Sequence, residues 1–184
     1  MANMLNYGAA AQVRFDYNLD KLATDGLDQK YLDLITDGTP DMQEIEEVDD
    51  TGMAATLQSL DLNLGDKVEL LPVFRMSSNV VKEEYHAEIV QTHKKADGTE
   101  TVTTYTIEGK DCLASGKYLG VYLNNLKSSE MRDVLTVTLY KGDVAVSATH
   151  TLSVESVCAA KLSTYPELIP ALMNYADASK AVFG

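Results

Sequence analysis

Two periods of apolar spacing divide the chain. Between Met53 and Leu152 apolar residues recur at alternate positions: Leu60, Leu62 and Leu64; Val68, Leu70, Phe74 and Met76; Tyr85, Ala87 and Ile89; Leu119, Val121 and Leu123; Leu135, Val137 and Leu139; Val144, Val146 and Ala148. A period of two sends side chains to opposite faces of an extended backbone, so each run predicts a strand with one apolar face. The segment "TETVTTYTI" (99–107) is rich in Thr and β-branched residues, which pack well on a pleated surface. The turn signals "NLGD", "KADGTE", "EGKD" and "YKGD" separate the runs, since Gly, Asn and Asp tolerate the dihedrals that tight turns need. About seven short strands of this kind predict an antiparallel, Ig-like β-sandwich over residues 53–152.

Outside those limits the spacing lengthens to three and four. Met4, Tyr7, Gly8, Ala11 and Phe15 form one stripe, so Asn3 to about Tyr17 reads as a helix. Residues 16–35 read as a turn and a short helical or irregular piece, and "TDGTPDMQEIEEVDDTG" (36–52) as a polar, acidic loop. After Leu152, "SVESVCAAKL" predicts a short helix capped by Ser153, with Ser156 as the alternative cap. "TYPELIPALMNYADASKAVF" (164–183) follows, with Thr164 and Glu167 at capping-box spacing. Pro170 lacks an N–H, so it either kinks this helix or begins its regular part as the first residue. Leu168, Leu172, Tyr175, Ala176, Ser179 and Phe183 share a face. The chain thus divides into a helical junction and acidic loop (1–52), a sandwich (53–152) and closing helices (153–184).

The two ends also resemble each other. "MLNYGAAAQVRF" (4–15) aligns with "LMNYADASKAVF" (172–183), matching Asn6 with Asn174, Tyr7 with Tyr175, Ala10 with Ala178 and Phe15 with Phe183. Small residues between two aromatic rings let a helix lie close to a neighbour while the rings anchor it. A tandem module of about 168 residues accounts for this, its closing helix appearing once from a preceding unit and once as its own. The helix that opens directly after Met1-Ala2, without a basic-then-apolar leader, fits an excised fragment better than a cytoplasmic start.

Composition narrows the function. The formal charge is −13, from 28 acidic and 15 basic residues, which speaks against nucleic acid and anionic membranes. No apolar run approaches the roughly eighteen residues that a membrane span needs. Cys112 and Cys158 lie too far apart for metal-ligand spacing. Whether they pair stays open, although a core of this size needs no staple.

At the same terminal residues the chain resembles a module of large secreted and cell-surface proteins of gut Firmicutes such as Ruminococcus. Leu5 to Gln12, Phe15, Tyr17, Asn18, Asp20, Leu22 and Ala23 match its opening stretch. Ser153, Val154, Ser156 and Ala159 match a helix start, and Tyr175, Ala178 and Phe183 its closing helix. The resemblance implies an extracellular, repeat-bearing, non-enzymatic protein. Similar proteins include superantigen-like immunoglobulin-binding proteins, which engage antibody variable domains outside the antigen site.

Reactive constellations are sparse. Asp16, Asn18 and Asp20 begin like a calcium loop, but Lys21 replaces the required Gly and Leu27 the closing Glu, so turns and caps are the expected role. His86, His93 and His150 show no metal spacing, no G-x-S-x-G is present, and the glycines form no phosphate-cradling pattern. Neither an enzyme nor a cofactor is expected. Two segments break the alternation: "RMSSNVVKEE" (75–84), with Val80 and Val81 in a polar setting, and the hairpin 91–105, with Lys94 and Lys95 at a tip and Tyr105 nearby. Apolar residues beside charges can mark an interface, so Val80, Val81, Lys94, Lys95 and Tyr105 are the candidate binding residues. The expected activity is recognition of a host protein by a monomeric module, with an immunoglobulin variable region as the first candidate. The contact would use a sheet face or edge, with avidity across repeated units. A carbohydrate-binding module, resting on Tyr118 and Tyr122, and a structural spacer are the alternatives.

Overall fold

In the computed structural model, which describes residues 1–44, 46–64 and 67–184 (the side chain of Asn125 excepted), the alternating runs form ten strands in two five-stranded antiparallel sheets. These are β1 (Ala55–Leu64), β2 (Val68–Met76), β3 (Tyr85–Lys94), β4 (Glu100–Glu108), β5 (Leu113–Ser115), β6 (Tyr118–Gly120), β7 (Leu123–Leu126), β8 (Val134–Lys141), β9 (Val144–Ala145) and β10 (His150–Leu152). The first sheet has the order β1-β2-β6-β5, with β7 also paired to β2; the second has the order β10-β8-β3-β4, with β9 also paired to β8. The turn expected at "NLGD" falls partly on Gly65 and Asp66, outside the described residues, as does Ile45 in the acidic loop.

Ten strands replace the expected seven because one run splits in two and β5 and β10 were not foreseen; a further run is shortened. The Leu119–Leu123 run splits into β6 and β7 around Val121 and Tyr122. The Val144–Ala148 run is a strand only at Val144–Ala145. Beyond it the Ser147 hydroxyl accepts the Leu139 N–H at 2.9 Å, so a side chain takes the place of a ladder carbonyl and the strand stops.

The inner faces are those that the alternation indicates. Leu70, Phe74 and Leu119 of the first sheet and Ala87, Ile89, Leu135, Val137 and Leu139 of the second are fully buried in one cluster. Burying each large side chain contributes about 1.5–3 kcal/mol. Helices α3 (Val154–Lys161) and α4 (Leu168–Phe183) add Val154, Val157, Ile169, Leu172 and Met173 to that cluster.

Ser153 caps α3: its side chain accepts the Ser156 N–H at 2.9 Å while Ser156 accepts its own at 3.0 Å. The capping box expected at Thr164 and Glu167 does not form; Thr164 lies in the preceding turn and Glu167 is itself the N-cap. Pro170 is the third residue of α4, within the first turn, where its missing N–H would have had no helical partner.

Helix α1 (Ala2–Arg14) ends earlier than expected, at Phe15, and its stripe is turned from the one expected. Met4 and Phe15 are 43% and 67% exposed, and Phe183 is 79% exposed, so the terminal rings lie largely in solvent. The anchor is Tyr7, which stacks on Tyr175 with ring centroids 6.2 Å apart and planes 10° from parallel. Helices α1 and α4 run antiparallel: Asn3 and Leu5 share a groove with Ala178, while Ala10 and Arg14 share one with Leu168 and Ala171. The aligned tyrosines therefore face each other at the centre of a pseudo-twofold pair. Beyond α1, Gln12 accepts the Ala23 N–H at 2.6 Å and donates to the Lys21 carbonyl at 2.9 Å. Asp16 and Asn18 there have φ of 52°, a left-handed conformation that short polar residues tolerate. This turn role is the one expected of them. The short α2 (Gln29–Leu32) follows.

Polar contacts tie the 36–52 segment to the body. The Asn174 amide donates to the carbonyls of Thr36 and Gly38, both at 3.0 Å. Asp50 pairs with buried His150 at 3.0 Å and accepts the Leu57 N–H at 2.9 Å. Arg132, just before β8, donates to Asp177 on α4, to Glu155 on α3 and to the Asp41 carbonyl.

Tyr7→Ala is expected to cost about 2 kcal/mol in urea melts and to speed amide exchange across α1 while β2, β3 and β8 stay protected. Phe15→Ala should stay within about 0.5 kcal/mol. Equal effects of the two substitutions would contradict the pairing.

Candidate functional site

Both cysteine thiols are held out of solvent. Cys112 and Cys158 are buried, unpaired thiols; burial pushes their pKa up to about 11 and about 12 respectively, so the nucleophilic thiolate is suppressed at neutral pH. Asp133 accepts the Gln91 amide at 2.6 Å and meets His93 Nδ1 at 2.7 Å. Burial raises its pKa against the pull of those two partners. His86 stacks on Tyr140, centroids 5.1 Å apart, on the outer face of the second sheet. Among the described residues, no group of three or more His, Cys, Asp or Glu is placed to hold a metal ion.

The five candidate binding residues do not form one cluster. Val80 and Val81 precede the start of β3, while Lys94 and Lys95 lie at its far end, about 30 Å away by strand rise. Tyr105 pairs in register with Ile89 and turns toward the core, half-buried, where burial raises its pKa. Val80 also packs against the core. Val81 is 54% exposed, and both lysines are exposed.

Val81 lies on a loop that runs beside the β5–β6 hairpin of the first sheet. Its loop is held along the β5–β6 hairpin by the Val80 N–H, which donates to the Gly116 carbonyl at 2.8 Å, and by Lys82 Nζ, which donates to the Cys112 carbonyl at 3.1 Å. A close crossing fixes this loop: a Cβ on Gly109 would lie 1.7 Å from the Lys82 carbonyl oxygen. In register across the outer face, Arg75 pairs with Tyr118 and Tyr118 with Ser115, while Val73 pairs with Gly120 and Gly120 with Leu113. Leu71 reaches over Gly120, its Cδ1 3.0 Å from where a Cβ would sit. The result is an outer patch of Leu71, Val73, Arg75, Leu113 and Tyr118, with Leu113 51% and Tyr118 43% exposed.

Sequence alternation passed over Leu71, Val73 and Leu113. A signal was present in "ELLPVFRM" (69–76), where apolar residues occupy both parities. A strand apolar on both faces presents one of them outward when only one side is core. Tyr118 and Tyr122, the pair named for sugar stacking, do not share a strand: Tyr118 lies in β6 and Tyr122 in the break before β7.

Comparisons with protein-family models, curated proteins and solved structures find no match to this chain.

A thiol reagent near pH 8, about the ordinary thiol pKa, is expected to leave both cysteines unmodified in the native protein and to label both after unfolding. Rapid native labelling of either one would contradict its placement.

Proposed function

We propose that this chain is a non-enzymatic recognition module, one unit of a repeat-bearing extracellular surface protein, that binds a host protein. The observation that carries this reading is the patch on the first sheet. Exposed Leu113 and Tyr118 are flanked by Arg75, Leu71 and Val73; Tyr118 and Arg75 are of the types enriched at interface cores, and the aliphatic side chains add exposed apolar area around them. No catalytic step is needed. Exposed apolar residues on a flat strand face suit another protein's surface better than a small ligand, which prefers concave sites.

The Ig-like form of the sandwich belongs to the same proposal. The order β1-β2-β6-β5 corresponds to A-B-E-D of that fold, and β10-β8-β3 to G-F-C, with β4 as an added C′ strand. An immunoglobulin variable domain is the first partner to test, brought forward by the resemblance at the termini. The repeat reading rests on the twin helices, and avidity across units would then raise the overall binding strength without changing any single contact.

The test exposes the immobilised chain to pooled immunoglobulin and to a glycan array. Immunoglobulin binding that weakens at least about tenfold in Leu113→Ser/Tyr118→Ala, a typical loss for two central contacts, with unchanged circular dichroism, is the expected result. Silence toward every variable-gene family would overturn the partner, and undiminished binding by the double variant would overturn the patch. Glycan binding abolished by Tyr118→Ala/Tyr122→Ala would favour the carbohydrate reading.

A further inference from the structure

The second sheet ends in an open strand. β4 is the last strand in the order β10-β8-β3-β4, and among the described residues its only ladder is to β3. That ladder runs without a register shift from His86–Glu108 to Lys94–Glu100. Natural edge strands are blunted by lysine, proline, a bulge or a covering element. β4 reads "ETVTTYTIE" and contains none of the first three. Its first five residues are all exposed, and Val102 is 63% exposed.

What β4 does carry is one glutamate at each end of an uncharged stretch. If a second copy of β4 lay antiparallel along this edge, related by a twofold axis at Thr104, Glu100 would oppose Glu108 of the other copy, twice. Like charges directly opposite each other destabilise a strand pair. The net charge of −13 adds long-range repulsion between copies. Asp111 lies near the Glu108 end, lining a groove with Ile107 and Tyr122. Lys94 opposes Glu100 and His86 opposes Glu108 from the β3 side, and Lys95 and Lys110 lie in the turns that flank the two ends of β4.

This protection is selective. It rejects a strand with acidic ends, including the chain's own, and leaves the backbone ladder open to a strand with basic ends. We propose that the β4 edge docks an extended segment of a partner protein, about nine residues long, with Lys or Arg at both ends of a β-branched stretch. The segment adds a strand to the second sheet. This contact lies on the opposite sheet from the Leu113–Tyr118 patch and stands or falls independently of it.

Two measurements on the full chain test the inference. The first compares fluorescent nonapeptides, Lys-Thr-Val-Thr-Thr-Val-Thr-Val-Lys and the same peptide with Glu at both ends. The wild-type chain is expected to bind the basic-ended peptide at least about tenfold more tightly, with the preference reversed in Glu100→Lys/Glu108→Lys. The second uses Glu108→Lys alone, which turns both like-charge contacts of the twofold pairing into opposite-charge ones. Light scattering should find the wild type monomeric and this variant dimeric, with Thr104→Pro added to it restoring the monomer. Equal binding of both peptides by the wild type would overturn the inference, as would a monomeric Glu108→Lys chain whose β3–β4 amides remain protected.

Discussion

One guanidinium ties α3, α4 and the acidic segment together at the start of β8. Arg132 reaches Asp177 on α4 with two nitrogens, Glu155 on α3 with a third, and the Asp41 carbonyl of the acidic segment with that same third nitrogen. Hydrogen bonding to Asp177 is the largest influence raising its pKa, followed among the favourable contributions by attraction to Asp177 and then Glu155. Removing a charge from water is costly, and only good geometry with several partners repays it. In a chain with nearly twice as many acidic as basic residues, such a cation lets the Glu155 and Asp177 carboxylates approach each other. Glu155 also accepts the Gln43 N–H at 3.1 Å, which extends the same lock along the linker.

Within that frame the terminal helices meet as near-equals. Tyr7 and Tyr175 stack where α1 and α4 cross, and the small residues on either side, Ala10 with Ala171 and Asn3 with Ala178, repeat the contact about the same axis. A self-complementary contact asks for similar residues on both sides. The likeness of the two ends therefore has a physical use within one unit, whatever its history. The helices differ where their outside duties differ. Gln12 binds the following loop and Gly8 admits the Ala23 side chain, 3.2 Å from where a Cβ would sit, whereas Lys180 and Ala176 hold the matching places in α4.

The sandwich was largely legible in the sequence, because a strict alternation at Leu135, Val137 and Leu139 or at Tyr85, Ala87 and Ile89 admits one inward face. Legibility failed where a contact crosses the chain. Nothing local marks Arg132 as the partner of residues 41, 155 and 177. The aromatic stripe placed Phe15 and Phe183 inward, since periodicity fixes the spacing of a face but not which of two adjoining faces meets a neighbour. The surface patch was half legible: Val81 and Tyr118 stood out singly. The loop that carries Val81 meets the β5–β6 hairpin through a backbone hydrogen bond, which side-chain patterns do not encode.

Gly109 bears on how this scaffold can change. The chain passes from the second sheet to the first at that point, with the Lys82 carbonyl oxygen 1.7 Å from any added methyl position. Neighbouring positions 79–81 and 113–118 are mostly solvent-facing and can be rewritten with little cost to the packed interior. Residue 109 admits one amino acid, so diversity in a family of such units, or in a designed library, would radiate around a fixed pivot.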